Sequence, residues 1–137
     1  MDLRVDIDLS QWYKLEASLG DTDLSDPISE AVDYIESRTL TNLMNEVDPD
    51  GKKWEPLAPS TVAQKKSGVI GRETGLMANS FGKEIYPNEG ILSNSTEYSM
   101  YFHFGVPSNN QPARPLMGFS GEDKDYIEGL IVDYLTT

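Results

Sequence analysis

The longest amphipathic run sets the fold: after Asp26-Pro27, the residues Ile28, Val32, Ile35, Thr39, Leu43 and Val47 recur at helical spacing, with Asp33, Glu36, Arg38 and Asn42 on other faces. The pattern predicts one long helix with a single apolar stripe, which must be buried against another layer. Asp26 is suited to accept from free N–H groups at the start, and proline at the first helical position sacrifices no hydrogen bond. Asp48-Pro49-Asp50-Gly51 ends the helix. This tetrapeptide resembles the start of a calcium loop. A ligand is wanted where Lys52 stands, however, and Pro59 occupies the place of the closing glutamate, so it reads as a turn.

The covering layer is legible in three places. Leu3, Val5, Ile7 and Leu9 alternate with Arg4, Asp6, Asp8 and Ser10, the period of a half-buried strand. Residues 80–86 and 91–94 predict two further strands, joined by a Pro87-Asn88-Glu89-Gly90 turn. A strand-like stretch follows at Leu116 to Phe119. Between these, Ser10 opens a short helix carrying Trp12, Leu15 and Leu19 and ending at Gly20, and Glu97 to Phe104 forms another ending at Gly105. Ser120 caps a last helix with Glu122 and Asp123 in its first turn. Its face of Ile127, Leu130, Ile131, Tyr134 and Leu135 has the spacing of a helix laid on a sheet. The expectation is a single α+β domain spanning 1–137, a small antiparallel sheet packed against a long helix and a C-terminal helix, with a flexible basic arm at about 66–75.

Charge narrows the function. The chain has 23 acidic and 11 basic residues, net −12. Residues 1–50 and 84–137 are strongly acidic, and residues 51–83 form a basic waist that includes Lys52, Lys53, Lys65 and Lys66. Specific binding to nucleic acid needs the reverse balance, because each phosphate contact is a cation displacing counterions. The chain has no cysteine, so thiolate metal sites and cysteine nucleophiles are excluded together. Nothing in MDLRVDIDLS reads as an export signal, and no apolar run suggests a membrane span. The glycines at 68, 71 and 75 make no phosphate cradle, and no Gly-x-Ser-x-Gly elbow occurs. The single histidine, His103, lies between two phenylalanines. With no nucleophile, metal or cofactor constellation, no cofactor and no catalysis are expected.

The stretch Glu97 to Ser120 concentrates Tyr98, Tyr101, Phe102, His103, Phe104, Arg114 and Pro115 on what reads as partly irregular backbone. Two readings stand side by side: a surface that grips a partner, or a helix end and packed loop that closes the core. Trp54, Pro56 and Leu57 form an extended apolar clasp earlier in the chain. Together with Lys52, Lys53, Lys65 and Lys66, Trp54 and Leu57 complete the candidate interface set.

These phrases occur in a recognisable order. Asp48-Pro49-Asp50-Gly51 is followed by Trp54, Pro56-Leu57, Thr61 and Lys65; then come Thr74-Gly75-Leu76, Tyr98, His103-Phe104-Gly105, Pro112-Ala113-Arg114-Pro115-Leu116 and a terminal acidic helix. The series resembles the virion morphogenesis family of tailed bacteriophages, also described as tail-completion or neck proteins. The resemblance implies a structural, non-catalytic subunit of the virion, assembled in the host bacterial cytoplasm. It implies a homo-oligomeric ring, a hexamer, at the head–tail junction or head-proximal tail end. The implied partners are the head connector and the tail terminator, tube or sheath proteins, with DNA passing through the channel. Two rival readings stand beside it: an acidic DNA-mimicking regulator that occupies a basic partner, and a small hydrolase using a pair of carboxylates with perturbed pKa values.

Overall fold

The computed structural model describes residues 3–9, 22–54, 78–105 and 112–136. Their elements are β1 (Leu3–Asp8), α1 (Ser25–Asn45), β2 (Phe81–Ile85), β3 (Glu89–Asn94), α2 (Glu97–Phe104) and α3 (Gly121–Thr136). The chain is α+β, as expected. The helix expected from Ser10 and the basic arm at 66–75 lie outside the described residues.

The three strands form an antiparallel sheet in the order β1-β3-β2, so the last strand in sequence is the central one. Leu3, Val5 and Ile7 stand opposite Asn94, Leu92 and Gly90, which in turn stand opposite Phe81, Lys83 and Ile85. Side chains alternate across a strand, so these residues share one face. That face packs on α1, whose Ile28, Ala31, Val32 and Ile35 are buried against it. Burying each large aliphatic side chain contributes about 1.5–3 kcal/mol, so this stripe is the principal stabilising contact. Lys83 also lies on the inner face but at the edge strand. From there its ammonium reaches Asp33 at 2.8 Å and Glu36 at 3.2 Å on α1. An inward-pointing lysine is one of the ways an edge strand resists pairing with foreign strands.

Gly90 marks the closest approach of sheet and helix. A Cβ there would sit 2.6 Å from Cγ2 of both Ile28 and Val32. Gly90→Val is expected to destabilise the fold by about 1–3 kcal/mol through overpacking, read as a lower midpoint of chemical denaturation with an unchanged slope.

Several boundaries differ from expectation. α1 starts at Ser25, with Leu24 at the N-cap position, so Asp26 lies inside the first turn. Asp23 takes the role expected of Asp26, its carboxylate accepting from the Ser25 N–H at 3.0 Å. Pro27 still sacrifices no bond, because the first four N–H groups of a helix lack intrahelical partners. At the other end, Val47 has left the helical stripe and forms an isolated bridge with Lys53. The strand β3 begins at Glu89, earlier than the turn chemistry suggests, because Glu89 and Gly90 pair with Asp8 and Ile7.

The larger correction concerns the C-terminal half. Leu116 to Phe119 is not a strand, and α3 lies chiefly on α1 rather than on the sheet. Ser120 does cap α3. Its hydroxyl accepts from the Asp123 N–H at 3.1 Å while Asp123 Oδ2 accepts from the Ser120 N–H at 2.9 Å, a reciprocal box. Asp123 is 2% exposed, and its other oxygen accepts from the Tyr34 hydroxyl at 2.9 Å. The Arg38 Nε lies 3.3 Å from that oxygen. Its alignment does not make a hydrogen bond, so the approach is an ion pair. Tyr126 stacks on Tyr34, with ring centroids 4.1 Å apart. Asp123 and Tyr126 both meet Tyr34, so the first turn of α3 is seated on the middle of α1. Ile127 and Ile131 continue the buried stripe, but Tyr134 and Leu135 are 42% and 40% exposed.

Candidate functional site

Three of the phrases picked out in the sequence meet at one corner, where α1 ends. Glu46 takes a left-handed conformation (φ 58°) and terminates the helix. Asp48 then organises the turn: its Oδ1 accepts from the N–H groups of Asp50 and Lys52, both at 2.9 Å. Gly51, at φ 85°, supplies the residue able to turn there. The aspartate thus serves its own turn. Among the described residues, no group of His, Asp or Glu is placed to hold a metal ion.

The turn reverses the chain and delivers Trp54 beside Glu46, whose carbonyl accepts from the Trp54 backbone N–H at 2.9 Å. The indole is buried, 6% exposed, and its Nε1–H donates to the Pro115 carbonyl at 2.8 Å. Residues 112–120 form a strap across this corner. Arg114, Leu116 and Met117 are buried within it, and Gly118 passes so near Pro49 that a Cβ would sit 3.2 Å from its ring. The far side of the strap is held by α2: His103 Nδ1 accepts from the N–H of Leu116 at 3.0 Å and, more weakly, of Met117 at 3.4 Å. These bonds explain why an extended apolar stretch does not join the sheet: its backbone donors are taken by a side chain.

His103 must therefore carry its neutral-state proton on Nε2. Burial holds its pKa below the ordinary value of 6.5. The unfolded chain takes up the proton more readily, so this contribution to stability is complete above pH 6.5 and is lost as pH falls below it. Wild-type protein is expected to lose stability as pH falls below 6.5. His103→Gln, whose amide oxygen accepts without titrating, should show a flatter melting-temperature profile over that window.

Of the expected interface residues, Trp54, Arg114 and Pro115 are placed inside this lock. Lys52 and Lys53 are exposed on its outer side, with Lys53 Nζ donating to the Asn45 carbonyl at 3.0 Å. Phe104 is 61% exposed beside His103, ring centroids 4.6 Å apart. Leu57, Lys65 and Lys66 lie outside the described residues, as do the side chains of Tyr98, Tyr101 and Phe102. Sequence reasoning passed over Met44, which is 82% exposed on α1. The signal was available, since position 44 falls off the apolar stripe. It also passed over the burial of Asp123, for which the capping pattern gives no sign.

A second surface is the outer face of the sheet. Arg4, Asp6 and Asp8 of β1 stand beside Ser93, Ile91 and Glu89 of β3, with Gly82 and Glu84 of β2 beyond. Four carboxylates around one isoleucine crowd each other. The Glu89 carboxyl is raised above its usual range, first by its hydrogen bond with Asp6, then by burial and the charges of Asp6 and Asp8.

The described residues form an α+β fold in which Trp54, His103 and Pro115 strap one corner, and acidic and apolar side chains remain outside. The chain belongs to the phage virion morphogenesis family, whose model matches residues 9–136. That places it among virion-associated assembly proteins of bacteriophages. No curated protein and no solved structure matches it. Among the described residues, no helix is long and apolar enough to cross a membrane.

Proposed function

We propose that the protein is a structural subunit of the phage neck or head-proximal tail end, forming a homo-oligomeric ring needed for tail completion and head–tail joining. The observation that carries the reading is the family match over nearly the whole chain, in a fold whose most distinctive residues close its own core. Its partners are further copies of itself, the head connector, and the tail terminator, tube or sheath proteins. Ring contacts are heterologous, so each subunit needs two different adhesive surfaces. The acidic body suits a wall past which DNA slides without adhering, because carboxylates displace no counterions from phosphate. The outer sheet face, with Asp6, Asp8, Glu84 and Glu89, is the surface with that character.

Imaging of purified virions at a resolution that separates single subunits is the decisive test. A ring of copies between capsid and tail supports the reading. Particles with joined tails that lack the chain would overturn it and favour the acidic regulator instead. Phage carrying a disrupted copy of the gene should accumulate filled heads and unjoined tails.

A further inference from the structure

The two edges of the sheet are not alike. β2 turns the charged Lys83 inward, which guards its edge against foreign strands. β1 carries only Leu3, Val5 and Ile7 on that face, has no proline, and among the described residues is paired on one side alone, by β3.

The register shows which backbone groups of β1 face outward. The Leu9 N–H donates to the Asn88 carbonyl, continuing the ladder in which Ile7, Val5 and Leu3 stand opposite Gly90, Leu92 and Asn94. Hydrogen-bonded positions alternate in an antiparallel pair, so the odd-numbered residues bond to β3. The N–H and C=O groups of Arg4 and Asp6 therefore point to the open edge. Their side chains lie on the outer face, with Arg4 exposed and Asp6 Oδ1 buried without a hydrogen-bond partner among the described residues.

Leu3-Arg4-Val5-Asp6-Ile7 is also self-complementary. When two copies run antiparallel about a two-fold axis at Val5, Arg4 of each stands opposite Asp6 of the other, and each such pair exchanges both of its main-chain hydrogen bonds. Leu3 then meets Ile7 and Val5 meets Val5, so the inner face stays apolar. Other registers are worse. A slip of one residue sets outer-face side chains against inner-face ones. Centring the axis on Arg4 or Asp6 opposes like charges in the middle of the contact, and a parallel pairing in register aligns every charge with its own kind. In the favoured register Asp8 falls opposite Asp2, at the end of the pairing, where solvent screens the repulsion.

We infer that β1 of the free chain pairs with β1 of a second copy, joining the two sheets into one across reciprocal Arg4–Asp6 pairs. The contact is two-fold and so is separate from the head-to-tail contacts of a ring. It goes beyond the assembly reading and describes the chain before assembly.

Sedimentation equilibrium of the full chain should show monomer and dimer in exchange. Arg4→Asp sets carboxylate against carboxylate at both pairs, and Asp6→Arg sets guanidinium against guanidinium; each should raise the dissociation constant about tenfold or more. An equimolar mixture of the two variants restores opposite charges at both pairs, as does one chain that combines Arg4→Asp with Asp6→Arg. Both should return to within about threefold of the wild type. Arg4→Pro removes an outward N–H and no bond to β3, so it should weaken the dimer while keeping the fold. Circular dichroism and melting check that each variant is native. A wild type that stays monomeric into the millimolar range overturns the inference. So do folded single variants that dimerise as the wild type does, or a mixture or combined variant that stays as weak as the single ones, which would assign the dimer to another surface or register. Virion imaging reads the ring separately: a failed dimer leaves the proposed function standing, and a missing ring leaves the dimer standing.

Discussion

Trp54→Ala should lower the stability of the isolated chain by about 3–5 kcal/mol, the usual cost of emptying a buried tryptophan site. A domain of this size has about 5–15 kcal/mol in total, so the variant should melt about 10 °C or more below the wild type. The effect has two parts that can be separated. The indole fills space under the strap, and its Nε1–H donates to the Pro115 carbonyl. Trp54→Phe keeps most of the volume and removes this donor from the half-buried Pro115 carbonyl. It should cost about 1–3 kcal/mol, appearing first as faster amide exchange in the strap and only then as a lower melting temperature. Read from sequence, Trp54 is a candidate anchor for a neighbouring subunit. With 6% of its surface exposed, its replacement acts through the fold, so assembly defects in Trp54→Ala should track the unfolded fraction. If Trp54→Ala melts as the wild type does, the lock at this corner is wrong.

Asp123→Ala should be of similar size, about 3–5 kcal/mol, as expected when one member of a buried charged network is removed. Asp123 joins three structures: it returns the capping bond to Ser120, accepts from Tyr34, and faces Arg38 on α1. Removing it unseats the start of α3 and leaves the Tyr34 hydroxyl without its partner. Asp123→Asn keeps the shape and an acceptor but drops the charge; it should cost less, with the difference shrinking when Arg38 is also replaced. Circular dichroism at the helix band and a double-mutant cycle with Arg38→Gln would measure both. Equal stability of Asp123→Asn and Asp123→Ala would show that the neutral acceptor contributes nothing beyond the methyl group, and equal stability of Asp123→Asn and the wild type would show the same of the charge.

Elements governed by local chemistry are legible in the sequence. The α1 stripe, the alternation in β1, the Asp48–Gly51 turn and the Ser120 cap each depend on residues within a few positions of one another. Departures arise where a short-range rule has two solutions close in energy. Asp23 and Asp26 are both able to serve the start of α1, and the hydrogen bonds from the N–H groups of Leu9 and Leu24 to the hairpin carbonyls at Asn88 and Pro87 settle the chain path leading into it. For Leu116 to Phe119, extended apolar sequence suggests a strand. The acceptor for its N–H groups is the ring of His103, 13 residues away from Leu116, and no periodicity reports such a bond. Of the two readings of the stretch 97–120, the packed loop holds for Arg114, Leu116 and Met117, which close the core, and Phe104 is exposed.

What the sequence by itself determined is therefore the existence of the strands β1 to β3 and the helices α1 to α3, the acidic balance of charge, the absence of cysteine chemistry and the ordered phrases that mark the phage morphogenesis family. Spacing and composition suffice for these, because helices, strands and turns select residues over a few positions, and charge is a sum. Tertiary structure alone decided that β3 is the central strand, that α3 lies on α1, that Trp54 and His103 hold one strap from opposite sides, and which apolar side chains remain outside. Each of those depends on which distant groups share a limited volume, and burial is a property of the assembled layers, not of the residue.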